Sequence, residues 1–340
     1  MKKIGFACKW LNDPSECGGM KVNAVDRDLN GRSTTMRWLR EHPAEAEQRQ
    51  WDIMNHNAAA ALKMVERVGS LEPGRRMVRL GSEMLQGYTE KDWQAWWQRP
   101  EIQAHCERIF APVGETARRL GVRLSFHPGQ FCVLASANPG IVERSIEEFE
   151  YHADMARWMG YGKTFQDFKI NVHISGQRGP EGFRETYQQL SVEARNCITI
   201  ENEENSWGLD DCLTISDLVP IVLDVHHHWI KTGDYISPLD SRVDRVVQSW
   251  RGVRPTMHYS VSREDYLVDH ATGVMPDYQA LLAAGHKKQK LRAHSDFYWN
   301  QPVNDWALSF LNTHDIMCES KGKNLSSLAL HERAKELNLL

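Results

Sequence analysis

The chain has 340 residues, 41% hydrophobic and 25% charged, with a formal net charge of -4 and a pI near 6.4. That length supports a large core, and no run approaches the ~20 apolar residues that a membrane helix needs. Mild acidity argues against nucleic acid, because phosphate binding leans on Lys and Arg, unless bound divalent cations invert the local field.

Strand-like runs alternate with amphipathic stretches along the whole chain. Strands are expected at Lys3 to Cys8, Met77 to Ser82, Val122 to His127, Phe168 to Ser175, Cys197 to Glu203, Ile221 to His226, Pro255 to Ser260 and Asp315 to Glu319. Helices are expected at Ala44 to Val68, Ile102 to Leu120, Gly140 to Met159, Pro180 to Glu193, Pro238 to Trp250, Val303 to Leu311 and Leu325 to Leu337. Eight such units predict an α/β fold, a (β/α)8 TIM barrel forming a single domain over residues 1–340. An open doubly wound sheet would be expected to carry a glycine-rich phosphate loop, and none follows any strand. Residues 9–43, 83–100 and 262–301 read as long loop insertions.

The seven cysteines, Cys8, Cys17, Cys106, Cys132, Cys197, Cys212 and Cys318, are odd in number and never spaced CxxC. They read as reduced thiols of a cytoplasmic protein. The apolar run before Lys9 is too short for a signal segment.

The strand ends carry the chemistry. His127, His173, Glu201, Asp224 with a neighbouring histidine, His258 and Glu319 close consecutive strands, and His294 lies in a nearby loop. In a TIM barrel those ends share one mouth. Mixed imidazole and carboxylate donors suit Mn, Zn or Fe rather than calcium, and eight donors with bridging carboxylates suit two or three ions. Clustered ions are an apparatus for phosphodiester cleavage. Taken singly, each histidine or glutamate reads more readily as an ordinary core or solvated residue; their recurrence at successive strand ends carries the metal reading. Asp224 and His226 share a strand face, whereas Asp224 and His227 converge only if the chain turns after residue 226, and periodicity does not choose between them. The basic run Lys287, Lys288, Lys290 and Arg292, with Lys321 and Lys323, reads as a solvated face unless it rims the mouth.

The segments IGFAC, LSFHPGQF, ANPGIVERSIEEFEYHA, NVHISG, TIENEE, LDVHHH, PTMHYS and CESKGK, in this order, resemble the ultraviolet damage endonuclease family, a xylose-isomerase-like TIM-barrel relative of endonuclease IV. The resemblance implies a DNA repair hydrolase that nicks 5′ to photolesions and leaves a 3′-hydroxyl and a 5′-phosphate. It implies two or three divalent ions, manganese first, with Zn2+, Mg2+ or Co2+ as alternatives. The implied metal ligands are His127, His173, Glu201, Asp224, His227, His258, His294 and Glu319, with Glu201, Asp224, His258 and Glu319 catalytic; this settles on His227 within the triple histidine. Gln130 and Phe131 correspond to residues that probe the duplex, Phe6 to a lining residue of the lesion pocket, and Lys321 to a DNA contact. The implied partner is damaged double-stranded DNA, bound by a monomer without membrane association. Two departures bear on the ions: no histidine stands between His56 and His105, where Glu83 or Glu90 could substitute, and Thr256 occupies a position where the family can carry a modified lysine. Competing readings are an apurinic-site endonuclease, a metal-dependent sugar isomerase or epimerase, and a silent damage binder.

Overall fold

Aliphatic runs bounded by polar or glycine-containing turns form eight short parallel strands in the computed structural model, which describes residues 1–13 and 25–340. They are β1 (Ile4–Ala7), β2 (Met77–Arg79), β3 (Arg123–Phe126), β4 (Lys169–His173), β5 (Ile198–Glu201), β6 (Ile221–Val222), β7 (Thr256–Tyr259) and β8 (Asp315–Cys318). Their paired order is β6-β5-β4-β3-β2-β1-β8-β7. Between β6 and β7 no ladder forms; Asp224 and His258 make one parallel bridge, with His258 N donating to Leu223 O at 3.0 Å. That bridge closes the expected (β/α)8 barrel.

The strands are almost wholly buried, as a parallel sheet covered by helices requires. Helix starts follow local chemistry. Proline opens the helices Pro43–Gly69, Pro100–Leu120 and Pro139–Trp158, where its missing N–H costs nothing. The second of these stops at Gly121, whose φ of 65° suits a residue without Cβ. At its centre Gly114 lies so close to the chain end of the third helix that an added Cβ would stand 1.8 Å from Met159 O.

At the floor of the barrel Asp315 gathers the strand starts. It accepts from Arg123 and Arg254 at 2.7 Å each and from Lys3 N at 2.9 Å. Charge is thereby satisfied at the end opposite the strand tips, which are left for function.

Several expected boundaries shift. The strand expected at Ile221 to His226 ends at Val222, and a helix Val225–Thr232 begins where the histidines stand. The cause is Asp224, which caps that helix by accepting from His227 N at 2.7 Å and so turns the chain out of the sheet. The helix expected at Pro180 to Glu193 divides into Gly179–Tyr187 and Val192–Cys197, because Ser191 caps the second. Short helices Lys91–Trp97, Tyr278–Ala283 and Lys288–Leu291 occupy segments read as loops. Cys17 and part of the 9–43 segment lie outside the described residues; the other six cysteines are free thiols. No helix among the described residues is long and apolar enough to cross a membrane.

Candidate metal centre

The tips of β3, β4, β5, β7 and β8, with Asp224 just past β6, deliver polar side chains to a common region. His127, His173 and Glu201 bring ligand atoms within 4.8 Å of one another; so do His127, His258 and Glu319, and so do Glu201, Asp224, His258 and Glu319. Glu201 and Asp224 are 0% exposed. Register explains part of this: β4 and β5 pair His173 directly with Glu201, and the closing bridge pairs Asp224 with His258.

Glu201 is the hub. Its Oε2 lies 3.3 Å from His127 Nε2, 3.7 Å from His173 Nε2 and 3.1 Å from His258 Nδ1, while Oε1 is 3.4 Å from His227 Nδ1. Asn171 Nδ2 donates to Oε2, and Thr199 Oγ1 orients Asn171 at 2.7 Å. Glu319 faces His258 Nδ1 at 3.2 Å and receives Arg79 Nη1.

The histidines are oriented as ligands require. A carbonyl oxygen can only accept, so Nδ1–H donates from His127 to Pro128 O at 2.9 Å, from His227 to Asn202 O at 3.0 Å and from His294 to Glu319 O at 2.9 Å. That leaves each Nε2 with a free lone pair, the usual outer support of a metal-bound imidazole. His226 differs: Ser260 Oγ at 2.9 Å and Ser262 Oγ at 3.3 Å occupy both its ring nitrogens. The structure therefore brings His227, and not His226, toward the cluster.

The buried charges do not balance among themselves. Burial drives the Asp224 carboxyl well above the carboxylate range, reinforced by Glu201 and Glu319 and opposed by His227. Burial also acts on Glu201, but His258, His173 and His127 outweigh it and hold that carboxyl well below. Burial brings His258 down to about 4. His227 is raised to about 9, because Asp224, Glu201 and Glu204 overcome its burial. Glu201 Oε1, Asp224 Oδ2 and His258 Nδ1 are buried without any hydrogen-bond partner. Orphaned buried donors and acceptors are costly, and here they converge with a mixed N/O set. The residues fit divalent cations.

A family model described as UV-endonuclease UvdE matches residues 16–339. The chain belongs to that family. It is 27% identical over 247 residues to the UV DNA damage endonuclease of Bacillus mycoides, covering 68% of this chain and 69% of that one. It is 30% identical over 213 residues to the UV-damage endonuclease of Neurospora crassa, covering 55% of this chain but only 30% of that protein. Among solved structures, SacUVDE superposes with a TM-score of 0.72 at 23% identity, covering 100% of both chains. Endonuclease IV of Thermus thermophilus gives 0.50 at 14% identity over 81% of this chain and 93% of its own; at these identities both show the fold alone.

The remaining residues expected from the UvdE resemblance are distributed unevenly. Gln130 and Phe131 stand exposed on the turn after β3, Phe131 at 85% exposure. Phe131 and His127 border a cavity of about 800 Å³ together with Arg32, Glu83, Glu90 and Glu148. Neither Glu83 nor Glu90 joins the grouped ligand atoms. Phe6 is 1% exposed, its ring edge-on to Trp10 inside the core, so the structure does not bring it to that cavity's surface. Lys321 lies at the rim, its Nζ 3.1 Å from Asp296. His294 stands beside His227, with ring centroids 6.4 Å apart.

Sequence reasoning missed four residues. Arg79 binds Glu319; Lys169 Nζ lies 3.0 Å from His258 Nε2, its ammonium brought down to about 7 by burial and Arg79. Their signal was present: Arg79 closes a strand whose other residues are apolar, and Lys169 is buried at the start of the strand that also carries Asn171 and His173. The buried cation beside His258 thus comes from β4, and Thr256 is a buried neutral residue. Glu203 and Glu204 follow the hub glutamate, 4.0 Å from His173 Nδ1 and 3.7 Å from His227 Nε2 respectively.

Proposed function

We propose that residues 1–340 work as one barrel unit, a metal-dependent endonuclease that nicks duplex DNA 5′ to ultraviolet photolesions, leaving a 3′-hydroxyl and a 5′-phosphate. The observation that carries this reading is the convergence of unpartnered, buried Glu201, Asp224 and His258 atoms at the barrel mouth of a UvdE family member. Glu201, Asp224, His258 and Glu319 would hold the central ions, with His127, His173, His227 and His294 around them. Two or three divalent ions, manganese first, would supply Lewis acidity: an acidified water and neutralisation of charge on the phosphodiester.

The chain's own residues do the rest. Asn171 and Thr199 fix the hub carboxylate, and Arg79 fixes Glu319, so little reorganisation accompanies the reaction. Gln130 and Phe131 enter a duplex whose damaged step is already poorly stacked, so unstacking costs less there than in intact DNA. The adjoining cavity of about 800 Å³ is of a size to receive displaced bases. Lys321 at the rim would meet backbone phosphate.

Irradiated supercoiled plasmid should be nicked in the presence of manganese, and unirradiated plasmid should not. Equal nicking of both, or nicking that persists in chelator, would overturn the reading; a preference for abasic over irradiated duplex would redirect it to apurinic-site cleavage. Replacing both Gln130 and Phe131 by Ala should reduce discrimination between irradiated and intact duplex about tenfold or more in competition binding, since an unstacking wedge is worth a few kcal/mol. Unchanged discrimination removes the probe role. Manganese at ~100 times its Kd should raise the melting temperature of the metal-free protein by roughly 4 °C for each site filled, corresponding to about 2.7 kcal/mol per site. No rise in a thermal scan would show that manganese does not bind the folded protein in preference to the unfolded chain and would overturn the metal reading.

A further inference from the structure

Resting on the metal-centre reading above, we infer that Glu204 is an additional ligand, serving the ion held by His227 and His294. Glu204 is buried, and its two carboxylate oxygens have different surroundings. Oε1 is pinned, accepting from Asn205 Nδ2 at 2.9 Å and lying 3.0 Å from Arg292 Nη1. Oε2 accepts no side-chain hydrogen bond among the described residues and points at His227 Nε2 from 3.7 Å.

That nitrogen is the one that would offer a lone pair once a cation displaces its proton, because Nδ1–H is committed to Asn202 O at 3.0 Å. Two donors each about 2.0–2.2 Å from one ion stand roughly 3.0–3.7 Å apart, so His227 Nε2 and Glu204 Oε2 have the spacing of co-ligands. His294 joins them. Its Nδ1–H is likewise committed, to Glu319 O, and its ring centroid lies 6.4 Å from that of His227. Imidazoles at one ion stand roughly 5.3 Å apart by centroid in a tetrahedral shell and roughly 6.4 Å when opposite one another, so His227 and His294 would share an ion from opposite sides.

The ordinary alternative is that Glu204 only pairs with Arg292. That accounts for Oε1 alone; Oε2 stands 3.7 Å from His227 Nε2, an ion pair while that ring is protonated and a co-ligand once a cation displaces the proton. Support also comes from the main chain: Lys288 Nζ donates to Glu204 O at 2.7 Å, holding the residue in place from the opposite loop.

The full chain, stripped of metal, can be titrated with Mn2+ while the resonance of free Mn2+ is followed. Glu204→Gln is expected to weaken the last-filled site at least about tenfold, in the range of losses around metal sites. Arg292→Met, which removes only the pinning partner, should stay within about threefold of the parent. Glu204→Asp, a milder change should the glutamine variant not fold, is expected to fall between them. Parent-like affinity at every site in Glu204→Gln overturns the assignment, as does an equal loss in Arg292→Met. Failure of the underlying metal reading has its own signature: the unaltered chain binds no Mn2+, and Asp224→Asn is indistinguishable from it.

Discussion

Asp224→Asn is expected to slow nicking of irradiated plasmid by about 10³-fold or more, in line with removing a charged group on which transition-state stabilisation depends. The substitution is nearly isosteric, and the roles of the two oxygens predict a clean separation of effects. Oδ1 caps the helix Val225–Thr232 through His227 N at 2.7 Å, a bond that the asparagine carbonyl can keep. Oδ2 is buried with no partner, and an amide N–H2 there presents protons where a cation should sit. Folding and binding of irradiated duplex should therefore survive while turnover does not. Nicking assays beside fluorescence anisotropy measure the two; a folded variant that nicks at the parental rate would refute the site.

Gly114→Ala is expected to cost about 3 kcal/mol or more of stability, read as a shift in the urea midpoint. Glycine in a helix interior normally loses to alanine by roughly 1 kcal/mol, so the expected sign here is opposite to the propensity. The reason is contact between main chains: the new Cβ would meet Met159 O at 1.8 Å and Met159 C at 2.7 Å. A backbone carbonyl cannot rotate away as a side chain can, so the helix pair Pro100–Leu120 and Pro139–Trp158 must separate. A neutral or stabilising result would show that the two helices pack less closely than described.

The barrel was legible because parallel strands buried on both faces announce themselves as apolar runs, and most runs here end at a proline, glycine or charged residue. The cluster was legible for the same reason: His127, His173, Glu201, His258 and Glu319 stand at the tips of such runs. Where the reading slipped at Asp224, a capping aspartate looks in sequence like one more polar strand residue, and only the departing chain distinguishes the two. Short helices such as Lys91–Trp97 were hidden because fewer than two turns give no periodicity to detect. Arg79, Lys169 and Glu204 were overlooked because attention went to familiar ligand types at strand ends. A cation within an apolar strand, or an acid two or three residues beyond the tip, is recognised as part of a site only once neighbouring strands are placed beside it.

The seam between β6 and β7 gives the fold a property of its own. The barrel's sparsest joint is fastened by Asp224 and His258, two of the residues proposed to hold the ions. Ions bound there would tighten a hoop, and their removal would loosen the stave beside it. Amide exchange at His258 N should accordingly slow when manganese is added, making the wall of the container a gauge of its contents.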